Sequence, residues 1–163
     1  MPATYEKIAT TTLGSTATDI TFSSIPATYT DLKIVWVGKR TAGGENLRIR
    51  FNSDTGSNYS ATLISGDGTS ALSSRTTSAT QGTGPRILSG QFCMGLIDIF
   101  SYTASVNKTF LVTSAADQNG SGEVYNIVNL WRSTSTISTI ELSVSASSMT
   151  IGTTATLYGI LKA

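Results

Sequence analysis

Leu47-Arg48-Ile49-Arg50-Phe51 alternates apolar and charged residues with a period of two. Successive side chains of an extended strand point to opposite faces, so this segment predicts a strand with one apolar face and one charged face. The polar run Asn52-Ser53-Asp54-Thr55-Gly56 follows directly, and such residues favour turns. The pattern is typical of an antiparallel sheet that packs one face on a core.

The same alternation recurs along the chain between clusters of Gly, Ser, Asn and Asp. Further strands are predicted at residues 32–37, 123–131, 140–145 and 156–161, and with weaker patterns at 5–10, 17–23 and 58–64. Two short apolar runs, residues 96–100 and 108–112, are predicted to be strands buried on both faces. No helical stripe is evident. The sequence therefore predicts an all-β, antiparallel, jelly-roll-like β-sandwich of about 8–10 strands, as a single domain over residues 1–163.

One long segment breaks the alternation. Residues 65–86, SGDGTSALSSRTTSATQGTGPR, are dominated by Gly, Ser and Thr and offer almost nothing to a core. Long structureless loops in compact domains are usually functional or disordered. We therefore predict an exposed loop here, available for contact with a neighbouring protein.

The chain is polar but contains few charged residues. Charged residues make up 13% of the sequence, against about 25% in typical globular proteins, and Ser and Thr supply about three residues in ten. A formal net charge of +1 argues against nucleic acid or an anionic membrane surface as a partner. With Cys93 as the only cysteine, neither an intrachain disulfide nor a Cys/His zinc spacing exists, and no cofactor is predicted.

The sequence contains no histidine, which removes the commonest general base and every Ser-His or Cys-His pair. The sharpest enzymatic motif left is Asp54-Thr55-Gly56-Ser57, which is similar to the turn that presents a catalytic carboxylate in aspartic proteases. In that family the Asp follows an apolar strand directly, whereas Asn52 and Ser53 intervene here. A structural turn is the favoured interpretation, and we predict that the protein is not an enzyme. A hydrolase that uses Asp54 remains an alternative.

Two other side-chain groups carry weaker chemical hypotheses. Asp117 and Glu123 flank a Gln-Asn-Gly-Ser-Gly turn and would meet at a hairpin tip, but two carboxylates do not make a calcium site, so a solvated hairpin is favoured. Cys93 lies between Phe92 and Met94 and is interpreted as a buried small hydrophobe. We predict no catalytic, metal or cofactor residues.

Cationic and aromatic residues give the candidate interface. Arg48 and Arg50 share a strand face and suit an ion pair or a contact with acidic residues of another subunit. Lys39 and Arg40 lie in Gly38-Lys39-Arg40-Thr41, which is too short for a phosphate-binding loop, and they join the candidate interface together with Trp131. Trp131 also belongs to a set of aromatics for which core packing and a sugar-stacking platform both stay open: Trp36, Tyr59, Tyr102, Tyr125 and Trp131.

No targeting segment is apparent from the first residues. MPATYEKIAT has no apolar leader region, and no stretch approaches about 18 consecutive apolar residues. We therefore expect synthesis in the cytosol and no membrane association.

Three segments together resemble small β-rich virion proteins of tailed bacteriophages, including phages of cyanobacteria and marine bacteria. They are ITFSSIPATYTDL at residues 20–32, LRIRFNSDTGSNYS at residues 47–60 and TLYGI at residues 156–160. The resemblance implies a structural part of the particle, present in many copies and often trimeric.

Our leading hypothesis is a capsid decoration or cement protein that bridges major capsid subunits as a homotrimer on the virion surface. The N-terminal segment, the 65–86 loop and the Arg48/Arg50 face would then supply contacts. The alternative is a receptor-binding module of a tail or fibre that holds host carbohydrate.

Overall fold

The computed structural model describes residues 4–161 as two antiparallel sheets packed face to face. The twelve strands of the described chain, in order, are β1 (Tyr5–Thr12), β2 (Asp19–Phe22), β3 (Asp31–Gly38), β4 (Gly44–Phe51), β5 (Tyr59–Gly66), β6 (Ala71–Ala79), β7 (Gly82–Leu88), β8 (Cys93–Ile99), β9 (Lys108–Asp117), β10 (Gly122–Trp131), β11 (Ile140–Ser143) and β12 (Thr154–Ile160). The predicted bounds of the domain, 1–163, extend on both sides beyond the described residues.

The strand order is that of a jelly roll with two additions. The large sheet runs β1-β12-β3-β8-β9-β10-β5-β6, and the small sheet runs β2-β11-β4-β7. Without the hairpins β5–β6 and β9–β10, the remaining eight strands form the two four-stranded sheets of a double Greek key. Both hairpins add to the large sheet beyond β8. The predicted all-β jelly-roll-like sandwich is confirmed, with twelve strands where about 8–10 were predicted.

The inner faces of the two sheets form the core. Leu47, Ile49 and Phe51 of β4 are almost fully buried, while Arg48 and Arg50 on the other face are half-exposed, as the alternation predicts. Phe51 lies at the centre of an aromatic cluster, with ring centroids 4.9 Å from Phe110 and 5.4 Å from Trp131. Each such edge-to-face pair adds about 0.5–1.5 kcal/mol beyond the area it buries.

Two buried polar side chains fix the loops at one end of the sandwich. The ammonium group of Lys108 donates to the carbonyls of Ala104 and Val106 at 2.7 and 2.6 Å, although the side chain is fully buried. The hydroxyl of Tyr102 donates to the carbonyl of Pro26, which ties the β8–β9 loop to the β2–β3 loop. These bonds satisfy polar groups that would otherwise be buried without partners.

The prediction of an exposed loop at residues 65–86 is wrong, because strands occupy most of this segment. The end of β5, all of β6 and most of β7 occupy this segment. Periodicity missed β6 because both of its faces are exposed: its first eight residues are all solvent-accessible, so apolar alternation is not required of them.

The two apolar runs at 96–100 and 108–112 were predicted to be buried on both faces, and this is also wrong. In β8 and β9 only every second residue is buried. Leu111 is 42% exposed, and Met94 near the start of β8 is 53% exposed. The apolar side chains of these strands therefore line an outer surface as well as the core.

The small sheet covers only part of the large one. Its edge strand β7 packs across β8, β9 and β10 and touches β5 less extensively. The β5–β6 hairpin consequently projects past the edge of the small sheet, which leaves both faces of β6 open to solvent.

Candidate interaction surface

The uncovered face of the large sheet carries a cluster of exposed apolar side chains, which we call the outer face. Direct cross-strand pairing sets Val37 beside Met94, and Leu111 beside Val128. The most exposed apolar members of the outer face range from 42% to 58% exposure: Val37, Ile64, Met94, Leu111, Val124 and Val128. Single exposed apolar residues are ordinary on a protein surface, but contiguous sets are uncommon on monomeric proteins, so the outer face is the candidate interaction surface.

The polar groups of the outer face are mostly neutral. Thr113 donates to the side chain of Asn126 at 3.1 Å in a row between the apolar pairs. Lys33 and Asp98 oppose each other in the register and form an ion pair at 2.6 Å. Because these two charges neutralise each other, docking of an uncharged surface would not have to desolvate an isolated ion.

The size of the outer face matches a protein–protein interface. The six strands from β3 to β6 in the sheet order, about 4.8 Å apart and about seven residues long at 3.4 Å per residue, span roughly 700 Å². Standard interfaces bury about 800 Å² per partner. At one end of the face a cavity of about 650 Å³ opens between Phe92, Met94 and Val124. The surface is therefore large enough to hold a folded partner.

A second, more polar site lies under the β5–β6 hairpin, in a groove of about 380 Å³ that Asn46 and Ser74 help to line. Here Arg86 donates to Glu123 at 2.7 Å, and the Tyr125 hydroxyl donates to the same carboxylate at 3.1 Å. The Arg86 guanidinium lies 5.8 Å from the Tyr125 ring centroid. Burial raises the pKa of Tyr125, and the Arg86 charge acts in the opposite direction.

Two of the five predicted interface residues are buried inside the chain, which corrects their assignment. Arg40 is 6% exposed and binds Glu45 at 3.1 Å and the carbonyl of Ala146 at 2.6 Å. Trp131 is 2% exposed, and its indole N–H donates to Asp54 at 2.7 Å. Neither side chain is presented to a partner in this structure.

The other three predicted interface residues lie at the surface but not together. Arg50 pairs with Glu141 of the neighbouring strand at 3.4 Å, so the predicted ion pair forms within the chain. Arg48 is half-exposed on the same strand. Lys39 lies across the ring of Phe92, 5.7 Å from its centroid, next to the end of the outer face. Of the predicted set, Lys39 is therefore the residue that borders the apolar surface.

Asp54 is held in a turn by three donors. Its carboxylate accepts from the Trp131 indole, from the Asn58 amide at 2.9 Å and from the Gly56 N–H at 2.8 Å. Burial acts to raise the pKa of Asp54, but these hydrogen bonds together lower it below its ordinary value. A catalytic carboxyl of the protease type needs a second carboxyl that shares its proton. The contacts of Asp54 are those of the structural turn favoured by the sequence.

The remaining chemical candidates occupy ordinary structural positions. Within residues 4–161, no cluster of three or more His, Cys, Asp or Glu side chains is arranged to hold a metal ion. Asp117 accepts from the N–H of Asn119 in the β9–β10 turn, while Glu123 is engaged by Arg86. Cys93 is buried, as predicted, and burial raises the pKa of its thiol.

The five aromatic residues considered for either core packing or sugar stacking differ in burial. Trp36, Tyr59, Tyr102 and Trp131 are buried in the core, so they offer no platform for sugar. Tyr125 alone of the five is half-exposed, in the polar groove.

The described part of the chain includes no helix of the length and apolarity needed to cross a bilayer. No protein-family model, curated protein or solved structure matches this chain. The outer face had one signal in the sequence: Leu111, Val128 and Val124 are apolar at positions where an alternating, half-buried strand would carry polar residues.

Proposed function

We propose that this protein is a structural subunit of a bacteriophage virion, a capsid decoration or cement protein that docks on the major capsid protein through the outer face. The observation that carries the proposal is the outer face itself, which is apolar, nearly neutral and of interface size. The jelly-roll fold and the resemblance of three segments to phage virion proteins support it. The protein would reside on the virion surface after synthesis in the host cytosol.

The mechanism is stabilisation by mass action. A protein that binds only the assembled shell stabilises that shell by RT ln(1 + [L]/Kd), which is about 2.7 kcal/mol per site at a hundredfold excess over Kd. Such binding requires a complementary surface with enough apolar area, and it requires no catalytic group. Val37, Met94, Ala115 and Val124 form one row across β3, β8, β9 and β10, which supplies this area without exposing an unpaired charge.

The direct experiment compares particles with and without the protein. Phage particles that lack it are expected to release DNA at a lower temperature, and adding back the purified protein restores the original temperature. Unchanged release would contradict the cement role. Copy number by mass spectrometry supplies a second criterion, because hundreds of copies per particle fit a shell protein and a few copies fit a tail protein.

A matched pair of variants tests the outer face. Val124→Lys places an ammonium group in the apolar surface and should abolish binding to shells that lack the protein. Thr21→Lys adds the same charge to the exposed side of β2, in the small sheet, and should leave binding intact. Equal loss from both variants, or from neither, would exclude the outer face as the docking surface.

A receptor-binding module that holds carbohydrate is the second candidate, and the polar groove favours it. The groove is lined by the half-exposed ring of Tyr125, the carboxylate of Glu123 and the amide of Asn46. Sugars bind where an aromatic face adjoins planar polar groups that match their hydroxyls.

A glycan array distinguishes the two candidates. Selective binding that is lost in both Tyr125→Ala and Glu123→Gln, and kept in a control at the exposed Tyr5 (Tyr5→Ala), would favour adhesion. Absence of any glycan binding together with shell binding favours the decoration role.

A further inference from the structure

Strand β6, the second strand of the β5–β6 hairpin, is an edge strand of the large sheet. In the pairing of the sheet, β6 is bonded to β5 alone. Ile64 and Leu72, on opposite faces of the hairpin, are 57% and 58% exposed. β5 is bonded to β10 on its other side, whereas β6 has a free edge, and a strand that pairs with β6 would satisfy the backbone groups on that edge.

The other three sheet edges of the described chain are protected against pairing with another chain. The β1 edge carries Glu6 and Lys7 and a register shift after Lys7. The β2 edge is only four residues long. The β7 edge contains Pro85, and the side chain of Asn129 bonds its backbone. Charges, bulges, short length and proline are the devices by which natural sheets block edge-to-edge association.

The β6 edge lacks these devices over most of its length. Its nine residues, ALSSRTTSA, contain no proline and one charge, Arg75, whose guanidinium donates to Thr62 of its own sheet. Its irregularity lies at the C-terminal end, where the register with β5 shifts between Thr76 and Ala79, around the left-handed backbone of Ser78 at a φ of 52°. Residues 71–77 therefore present a regular row of backbone donors and acceptors at the edge of the sheet.

We propose that β6 pairs antiparallel with β6 of a second copy of this chain, which joins the two large sheets into one sixteen-stranded sheet. A two-fold axis satisfies the same edge on both copies with identical contacts. Since residues 71–77 are the regular part, the axis passes at Ser74, and Ala71 of one copy lies opposite Thr77 of the other.

Charge and hydrogen bonding fit this self-pairing. With the axis at Ser74, Arg75 of each copy lies opposite Ser73 of the other copy, so the two guanidinium groups do not face each other. Hydroxyl side chains at residues 73, 74, 76 and 77 both donate and accept, and cross-strand Ser and Thr pairs stabilise sheets.

The contact is small. Seven residues at about 3.4 Å per residue give a ladder roughly 24 Å long, which buries on the order of 300 Å² per partner. This is below the standard size, so we expect a Kd between about 10 µM and 1 mM in dilute solution. Pairing would become extensive where many copies are held close together on a surface.

Sedimentation of the purified chain up to about 1 mM tests the proposal in the absence of any particle. We expect a monomer–dimer equilibrium, and Ser73→Lys should raise Kd about tenfold or more because the introduced ammonium group would face Arg75 of the other copy. The matched control Thr10→Lys, on the β1 edge of the same sheet, should leave Kd unchanged.

Cross-linking tests the register. Opposed residues of an antiparallel pair have Cα atoms about 4.5–5.5 Å apart, within the range of a disulfide. Ser74→Cys is therefore expected to give a disulfide-linked dimer under mild oxidation, while Thr10→Cys stays monomeric; Cys93 is buried in both.

The proposal is overturned if the chain stays monomeric at the highest concentration and Ser74→Cys does not cross-link. It is also overturned by a trimer that both Ser73→Lys and Thr10→Lys disrupt, since that result would assign head-to-tail pairing of β6 with β1. Neither result depends on whether the protein decorates a capsid, so failure of one proposal leaves the other to be judged separately.

Discussion

The side-chain amide of Asn129 forms two hydrogen bonds with the backbone of Thr83, as a neighbouring strand would. Its oxygen accepts from the Thr83 N–H at 2.9 Å, and its nitrogen donates to the Thr83 carbonyl at 3.0 Å. Asn129 is 1% exposed and projects from the inner face of the large sheet. Through this pair of bonds the large sheet satisfies the free edge of the small one.

We predict that Asn129→Ala lowers the free energy of unfolding by about 2–3 kcal/mol, because it leaves a backbone donor and acceptor without partners in a shielded position. Asn126→Ala, three residues earlier on the exposed face of β10, should cost less than about 0.5 kcal/mol. Urea unfolding of the two variants measures the difference. Equal effects would contradict the role assigned to Asn129.

Asp54 should give the protein a stability that depends on acid pH. Its pKa is lower in the folded chain than in the unfolded chain, so its contribution is present above about pH 4 and is lost as pH falls through the folded pKa. Asp54→Asn is expected to cost about 1–2 kcal/mol at neutral pH and progressively less as the solution is acidified. Denaturant unfolding from about pH 2 to about pH 7 measures this difference. Thr55→Ala, at an exposed position of the same turn and without a titratable group, is the control and should show no such change.

Tyr59 should destabilise the fold in alkali. It is fully buried, and burial raises its pKa to about 12. Because the folded chain keeps its proton longer than the unfolded chain, the stability it contributes is complete below about pH 10 and declines towards about pH 12, by as much as about 2.7 kcal/mol. In Tyr59→Phe this decline should be smaller than in the wild type. Unfolding measured by circular dichroism across this pH range decides the point.

Lys108 should be required for order in the β8–β9 loop. Replacement by Met keeps the length of the side chain but leaves the carbonyls of Ala104 and Val106 without their donor, and we expect a loss of about 2–4 kcal/mol. Lys33→Met, which removes a half-exposed ion pair, should cost less than about 1 kcal/mol. Thermal unfolding and limited proteolysis at residues 100–107 measure the two effects.

The sequence predicted most strands because each packs one face on the core and therefore alternates. It did not predict β6, since Ser73, Ser74 and Thr76 meet solvent on both faces and no apolar period is imposed on them. It also misjudged how far Leu111 is buried, because an apolar residue in a strand has the same signature on a core face and on an exposed face.

The misassigned interface residues depended on long-range contacts. Arg40 is buried by Ala146 and Ser147, more than one hundred residues further along the chain. The indole N–H of Trp131 donates to Asp54, which lies 77 residues earlier in the chain. The spacing of residues along the sequence does not reveal such long-range contacts. They follow from the order of the strands in the two sheets.

The pairing of β1 with β12 has a consequence for biosynthesis. These strands lie at opposite ends of the described chain, and β12 also separates β1 from β3 in the sheet. While the ribosome is still translating, β1 and β3 each lack their common neighbour, whereas the hairpins β5–β6 and β9–β10 can form from local contacts. The nascent polypeptide therefore carries unpaired strand edges until β12 emerges, and chaperones that shield such edges would act in this interval.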